Sequence, residues 1–105
     1  MLHFDLNLKP KTEKMFKKIL NNYKDNHEIF VQNIFEYQIG ELRKEILNLE
    51  LDLKSNEKKH KLSTEKFYEK YSAGELGDDT DYMIWAGIYE MLRRSKKKLE
   101  ELSRD

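Results

Sequence analysis

The stretch Leu2–Pro10, "LHFDLNLKP", decides between a purely helical protein and one that pairs strands. Leu2, Phe4, Leu6 and Leu8 alternate with His3, Asp5, Asn7 and Lys9, the period of two that marks a half-buried strand. A lone strand leaves its backbone N–H and C=O groups unpaired, and no second strand is evident elsewhere in the sequence. The segment must therefore pair with another molecule or not be a strand at all. Pro10 ends it and suits the first turn of a helix.

Beyond Pro10 the periodicity becomes helical. Met15, Phe16, Ile19, Leu20 and Tyr23 form one apolar stripe on a helix whose other face is lysine. Asp25 followed by Glu28 reads as a capping box that starts a second helix near Asn26. Phe35, Ile39, Leu42, Ile46, Leu49 and Leu53 then step by four and three, a heptad seam continued by Asn56 and His60. Gly40 lies inside this helix, where it either permits a close helix crossing or is simply tolerated. Ser63 caps a short helix from Thr64 to about Ser72, Gly74 and Gly77 break the chain, and Asp78 to Asp81 start a last helix. On that helix Trp85, Ile88, Leu92, Leu99 and Leu102 form a second heptad seam, with Ser95 in the remaining position. Two such helices with a break between them predict a hairpin, which would set Arg93–Lys98 against acidic positions such as Glu41, Glu45 and Glu50.

At 105 residues the chain is one domain's worth, and a charged fraction of 38% fits long exposed helices or a coiled coil. A single small core is marginal at this length, which favours self-association. The absence of cysteine excludes disulfides and thiol chemistry and fits a reducing cytosol. The N-terminus has no apolar signal-peptide core, and no stretch approaches a membrane span, so a soluble cytoplasmic protein with no membrane role is expected. The net charge of zero hides segregation. Lys9, Lys11, Lys14, Lys17, Lys18 and Lys24 form one basic block, Lys58, Lys59 and Lys61 a second, and Arg93, Arg94, Lys96, Lys97 and Lys98 a third. Between Lys70 and Arg93 there is no Lys or Arg at all. Such blocks govern association rather than fold, and the plainer reading of each lysine run is a solvated helix face.

Strand, proline, lysine-faced helix and capped second helix, in that order, resemble a ribbon-helix-helix unit over residues 2 to about 46. The resemblance rests on "FDLNLKP", the spacing Met15/Ile19/Tyr23, the turn "KDNHEIF" and Ile34/Tyr37/Leu42. It implies that two chains pair their strands antiparallel and place the outward side chains in the DNA major groove. The base readers would then be His3, Asp5 and Asn7 with Lys9, and Asn26 and His27 would lie at a phosphate clamp on the second helix. The lysines of the first helix would supply sequence-independent affinity.

The last 40 or so residues, with "FYEKYSAGELGDDTDYMIWAGIYE", look like the C-terminal part of small prokaryotic antitoxin-like proteins. Together the two resemblances imply an antitoxin of a type II toxin–antitoxin system, a homodimer or higher even oligomer that binds operator DNA and a basic cognate toxin. The implied partner-binding residues are Phe67, Tyr71, Glu75, Asp78, Asp79, Asp81, Tyr82, Trp85, Tyr89 and Glu90. An acidic, aromatic segment can occupy the basic groove of a ribonuclease-type toxin, with Trp85 and Tyr89 as anchors. Heptad spacing alone assigns Trp85 and Ile88 to hairpin core instead.

"GDDTD" does not complete a calcium loop: counting from Asp79, the sixth position is Ile84 where an EF-hand needs glycine. His3, His27 and His60 are scattered outside any metal-ligand spacing, and no nucleophile elbow or phosphate-cradling loop is present. The sequence therefore predicts no enzyme, no metal and no cofactor. The expected architecture is mainly α, with a short strand in a ribbon-helix-helix dimer (residues 1–46) and then a long helix and C-terminal hairpin (residues 47–105). Two other readings stand beside the antitoxin: a coiled-coil structural or adaptor protein without DNA binding, and a stand-alone ribbon-helix-helix regulator.

Overall fold

The computed structural model describes residues 6–104. Its regular elements are all α-helices: α1 (Pro10–Asn22), α2 (His27–His60), α3 (Thr64–Ser72) and α4 (Thr80–Ser103). No strand occurs among the described residues.

The N-terminal expectation is corrected here. Leu6, Asn7, Leu8 and Lys9 have no regular secondary structure. The Leu8 N–H donates to the Leu6 carbonyl at 3.0 Å, a bond across two residues that turns the chain at Asn7 instead of extending it. Leu6, Asn7 and Lys9 are exposed, so the alternation has no face to bury. His3 and Asp5 lie outside the described residues. Asn26 and His27 lie at the N-terminus of the second helix: the Asn26 Oδ1 accepts the Ile29 N–H at 3.1 Å and His27 is the first residue of α2. Asn26, not Asp25, is therefore the cap. The mixed strand-and-helix fold class, the ribbon-helix-helix resemblance and its strand-paired homodimer all fall with the strand. The operator-DNA partner and the antitoxin reading with its basic toxin, which rested on that dimer, fall too.

The chain divides into two compact units, Met1–Tyr37 and Gln38–Asp105. In the first, Phe30 is buried between helical neighbours, with ring centroids 5.2 Å from Tyr23 and 6.2 Å from Phe16. α1 buries no residue fully, and Met15, Ile19, Ile29, Val31 and Ile34 remain exposed.

The second unit is built on a hairpin. Ile46, Leu49 and Leu53 of α2 bury their side chains with Trp85, Ala86 and Leu92 of α4 and with Phe67 of α3. Each large apolar side chain fully removed from water contributes about 1.5–3 kcal/mol. Ser95 is buried in the α4 seam, and Ile88 and Leu99 pack against the same core. Two ion pairs show that α2 and α4 run antiparallel: Lys59–Asp81 at 3.3 Å and Lys96–Glu50 at 3.4 Å. Both are exposed and contribute little.

The turns follow from local chemistry. α2 ends in a Schellman-type closure in which the Leu62 N–H donates to the Glu57 carbonyl at 3.3 Å across Lys61. Lys61 adopts φ 54°, the left-handed region in which a Cβ is strained. Lys61→Gly is expected to stabilise the chain by about 0.5–1 kcal/mol, read as a higher urea midpoint at unchanged m-value. α3 closes the same way but with the favoured residue: Gly74, at φ 77°, sits between N–H bonds from Gly74 to Tyr71 and from Glu75 to Lys70, both 3.0 Å. Asp79 caps α4 by accepting the Asp81 N–H at 3.0 Å. Of the two readings of Gly40, the close crossing is not found: a Cβ there would meet nothing within 4 Å among the described residues.

Candidate interaction surfaces

The ten side chains that the sequence assigned to partner binding divide into a buried set and an exposed set. Phe67 and Trp85 are fully buried. Their rings stack at 3.8 Å between centroids with 8° between planes, and His60 stacks on the same indole at 5.1 Å. Tyr71 and Tyr82 are half-buried against Phe67, at 5.5 and 5.6 Å. The indole N–H of Trp85 donates to Thr64 Oγ1 at 3.1 Å, and Thr64 is itself buried. The Thr64 N–H in turn donates to Glu57 Oε2 at 2.7 Å, which ties the start of α3 to α2. Offset aromatic stacking adds about 0.5–1.5 kcal/mol per pair beyond area burial. Phe67, Tyr71, Tyr82 and Trp85 thus hold three helices together.

The remaining members lie at the surface. Tyr89 is half-buried, 4.9 Å from the Tyr68 ring and under the Arg93 guanidinium at 5.7 Å. Glu90 accepts the Tyr68 hydroxyl at 2.7 Å. That bond, then partial burial and the carboxylate's charge, hold the Tyr68 phenol above its usual value. Asp81 pairs with Lys59, and Asp79 is spent on its cap. Glu75 and Asp78 are exposed. The acidic residues of this stretch therefore do not converge on one site. No group of three His, Asp or Glu side chains among the described residues is placed to hold a metal ion.

The second unit also contains a cleft of about 400 Å³ that the heptad reading missed. Its apolar lining is Leu47, Leu51 and Leu53 of α2 with Tyr89 and Leu92 of α4, and its rim carries Lys54, Glu57, Glu65, Arg93 and the Lys96–Glu50 pair. Leu47 and Leu51 are each more than half exposed, and one helical turn separates them. Their signal was present in the sequence as apolar residues at i and i+4 outside the seam. In the first unit a shallower groove of about 270 Å³ is lined by Ile19, Tyr23, Phe30, Ile34 and Tyr37.

Comparison with protein-family models, with curated proteins and with solved structures finds no match to this chain. No helix among the described residues is long and apolar enough to cross a membrane.

Proposed function

We propose that this chain is a coiled-coil adaptor, a non-enzymatic protein that binds other proteins and not DNA. The observation that carries the reading is the cleft on the hairpin, where Leu47 and Leu51 stay exposed above buried Leu53 and Leu92. An apolar floor with a rim of both charge signs fits the apolar face of an amphipathic helix, which inserts side chains at i, i+3, i+4 and i+7. The aromatic stack at the far end of α2 supplies the rigidity such a groove needs, because a preorganised surface loses less entropy on binding. The lysines of α1 are solvated side chains in this reading, one of them, Lys17, paired with Glu13 at 3.4 Å.

The test is a photo-crosslinking amino acid placed at Leu51 of the full chain in the cells that make it. Adducts with a distinct protein are expected at Leu51 and not at Glu101, an exposed position on α4. Leu47→Glu should abolish those adducts while leaving stability within about 0.5 kcal/mol, as for other surface substitutions. Equal labelling from both positions, or retardation of DNA fragments by the chain at low salt, would overturn the proposal.

A further inference from the structure

On α2 of the Gln38–Asp105 unit, the side of the helix that carries Leu47 and Leu51 continues beyond the cleft at both ends. Arg43, Leu47, Leu51, Lys54 and Lys58 follow one another at steps of four, four, three and four residues, which places them on one helix stripe. All five are exposed. Leu47, Leu51 and Lys54 line the cleft, and Arg43 and Lys58 extend the stripe by about one turn at either end. Two leucines are thus bracketed by cations, and within this unit the stripe carries no carboxylate.

The charges around the stripe indicate what it receives. Among the described residues none of Arg43, Lys54 and Lys58 forms an ion pair. Arg93 on the facing wall of the cleft forms none either and lies over the Tyr89 ring. The carboxylates that line the cleft have uses inside the protomer. Glu50 is paired with Lys96, Glu57 accepts the Thr64 N–H, and Glu65 stands in the first turn of α3, where the helix dipole stabilises it. The other carboxylates of α2 in this unit, Glu41, Glu45 and Asp52, lie roughly 110–160° round the helix from the stripe. What the stripe and the facing wall leave unanswered is therefore positive charge.

We infer that the helix received by the cleft is an acidic one, with carboxylates bracketing its apolar anchors, which rests on the helix-binding role proposed above. Its apolar side chains meet Leu47 and Leu51. Its carboxylates, about one turn beyond those anchors on either side, meet Arg43 at one end and Lys54, Lys58 and Arg93 at the other. At 1.5 Å per residue, Arg43 to Lys58 spans roughly 22 Å, which about four turns of a partner helix cover. Phosphate surfaces answer the cations less well. Nucleic acid offers no apolar side chain to the two leucines, and a membrane surface would lay its phosphates against Glu50, Glu57 and Glu65, which line the same cleft.

Fluorescence anisotropy of three labelled helical peptides, titrated with the full chain, tests the inference. The peptides share a pair of leucines one turn apart and carry Glu, Gln or Lys one turn before and one turn after the pair. The Glu peptide should bind about tenfold tighter than the Gln peptide, the gain expected from a few exposed charge pairs, and the Lys peptide should bind weakest. The advantage of Glu over Gln should shrink as salt rises. Arg43→Gln/Lys54→Gln/Lys58→Gln should bring the Glu peptide down to the affinity of the Gln peptide. Arg43→Glu/Lys54→Glu/Lys58→Glu should turn the preference to the Lys peptide. All three positions are exposed, so the helix content of both variants by circular dichroism should match the wild type. Equal binding of the three peptides to the wild-type chain would sink the acidic partner and leave the helix-binding role of the cleft standing. Binding of none of them would sink both. Tighter binding to vesicles of anionic lipid, or to DNA, than to the Glu peptide would assign the cations to a phosphate surface and reject the inference.

Discussion

Urea unfolding of Trp85→Ala, followed by circular dichroism at 222 nm, is expected to show a loss of about 3–5 kcal/mol, the range for removing a buried large aromatic side chain. Trp85 is fully buried, stacks on Phe67 and His60, and is hydrogen-bonded to Thr64. Its removal opens a cavity in contact with α2, α3 and α4 at once, and the flat faces of Phe67 and His60 cannot collapse to fill it without breaking their own contacts. Small domains are stable by only about 5–15 kcal/mol, so the variant should leave the Gln38–Asp105 unit partly unfolded at physiological temperature. The contrast with an exposed neighbour on the same helix makes the argument specific. Met83→Ala should change stability by less than about 0.5 kcal/mol, because Met83 is more than half exposed and lies outside the buried core. A loss below about 1 kcal/mol for Trp85→Ala would mean that the indole is not the keystone of this core, and the assignment of its ring to folding would fail.

How much of this was legible beforehand depended on the range of the interaction that fixes each feature. The start of α3 at Ser63 and of α4 at Asp79 rests on bonds spanning two or three residues, and the residue types declare them. The end of α3 at Gly74 is equally local. The seam residues Leu42, Ile46, Leu49 and Leu53 are buried because heptad spacing keeps one stripe facing a neighbour, whichever neighbour it is. Residues 2–9 show the opposite case. A period of two is evidence for a strand only if another strand exists to pair with it, and at Leu6–Leu8 the backbone bonds to itself. Four leucine and phenylalanine positions are too few to distinguish the two outcomes, and the family resemblance magnified the wrong one. For the candidate surfaces, Trp85 was readable as core from its spacing, whereas its bond to Thr64 was not, since 21 residues and a turn separate them. His60 stood at a polar position of the seam, and only the folded chain shows that its ring faces the indole. Leu47 and Leu51 form a second apolar pair beside the seam, and spacing alone does not tell which of two adjacent stripes is covered.

The bond between Trp85 and Thr64 allows a sharper test than truncation, because it can be broken with almost no change in volume. Thr64→Val keeps the branched shape and removes the acceptor, leaving the indole N–H buried without a partner. A buried donor left unsatisfied costs about 1–3 kcal/mol. Part of any measured loss could instead come from the N-terminus of α3, but the Thr64 contact there is its backbone N–H donating to Glu57 Oε2, which valine retains. The Ser63 cap, whose Oγ accepts the Lys66 N–H at 3.2 Å, is untouched as well. A double-mutant cycle separates the hydrogen bond from everything else at the two positions. Trp85→Phe keeps an aromatic ring for Phe67 to stack on and removes the N–H. In that background no donor remains to be stranded, so adding Thr64→Val should be close to neutral, and valine's apolar branch replaces a hydroxyl that would itself be buried without a partner. The coupling read from urea midpoints should therefore be about 1 kcal/mol or more. If Thr64→Val costs the same beside phenylalanine as beside tryptophan, the two side chains act independently, and α3 is held to α4 by ring stacking alone.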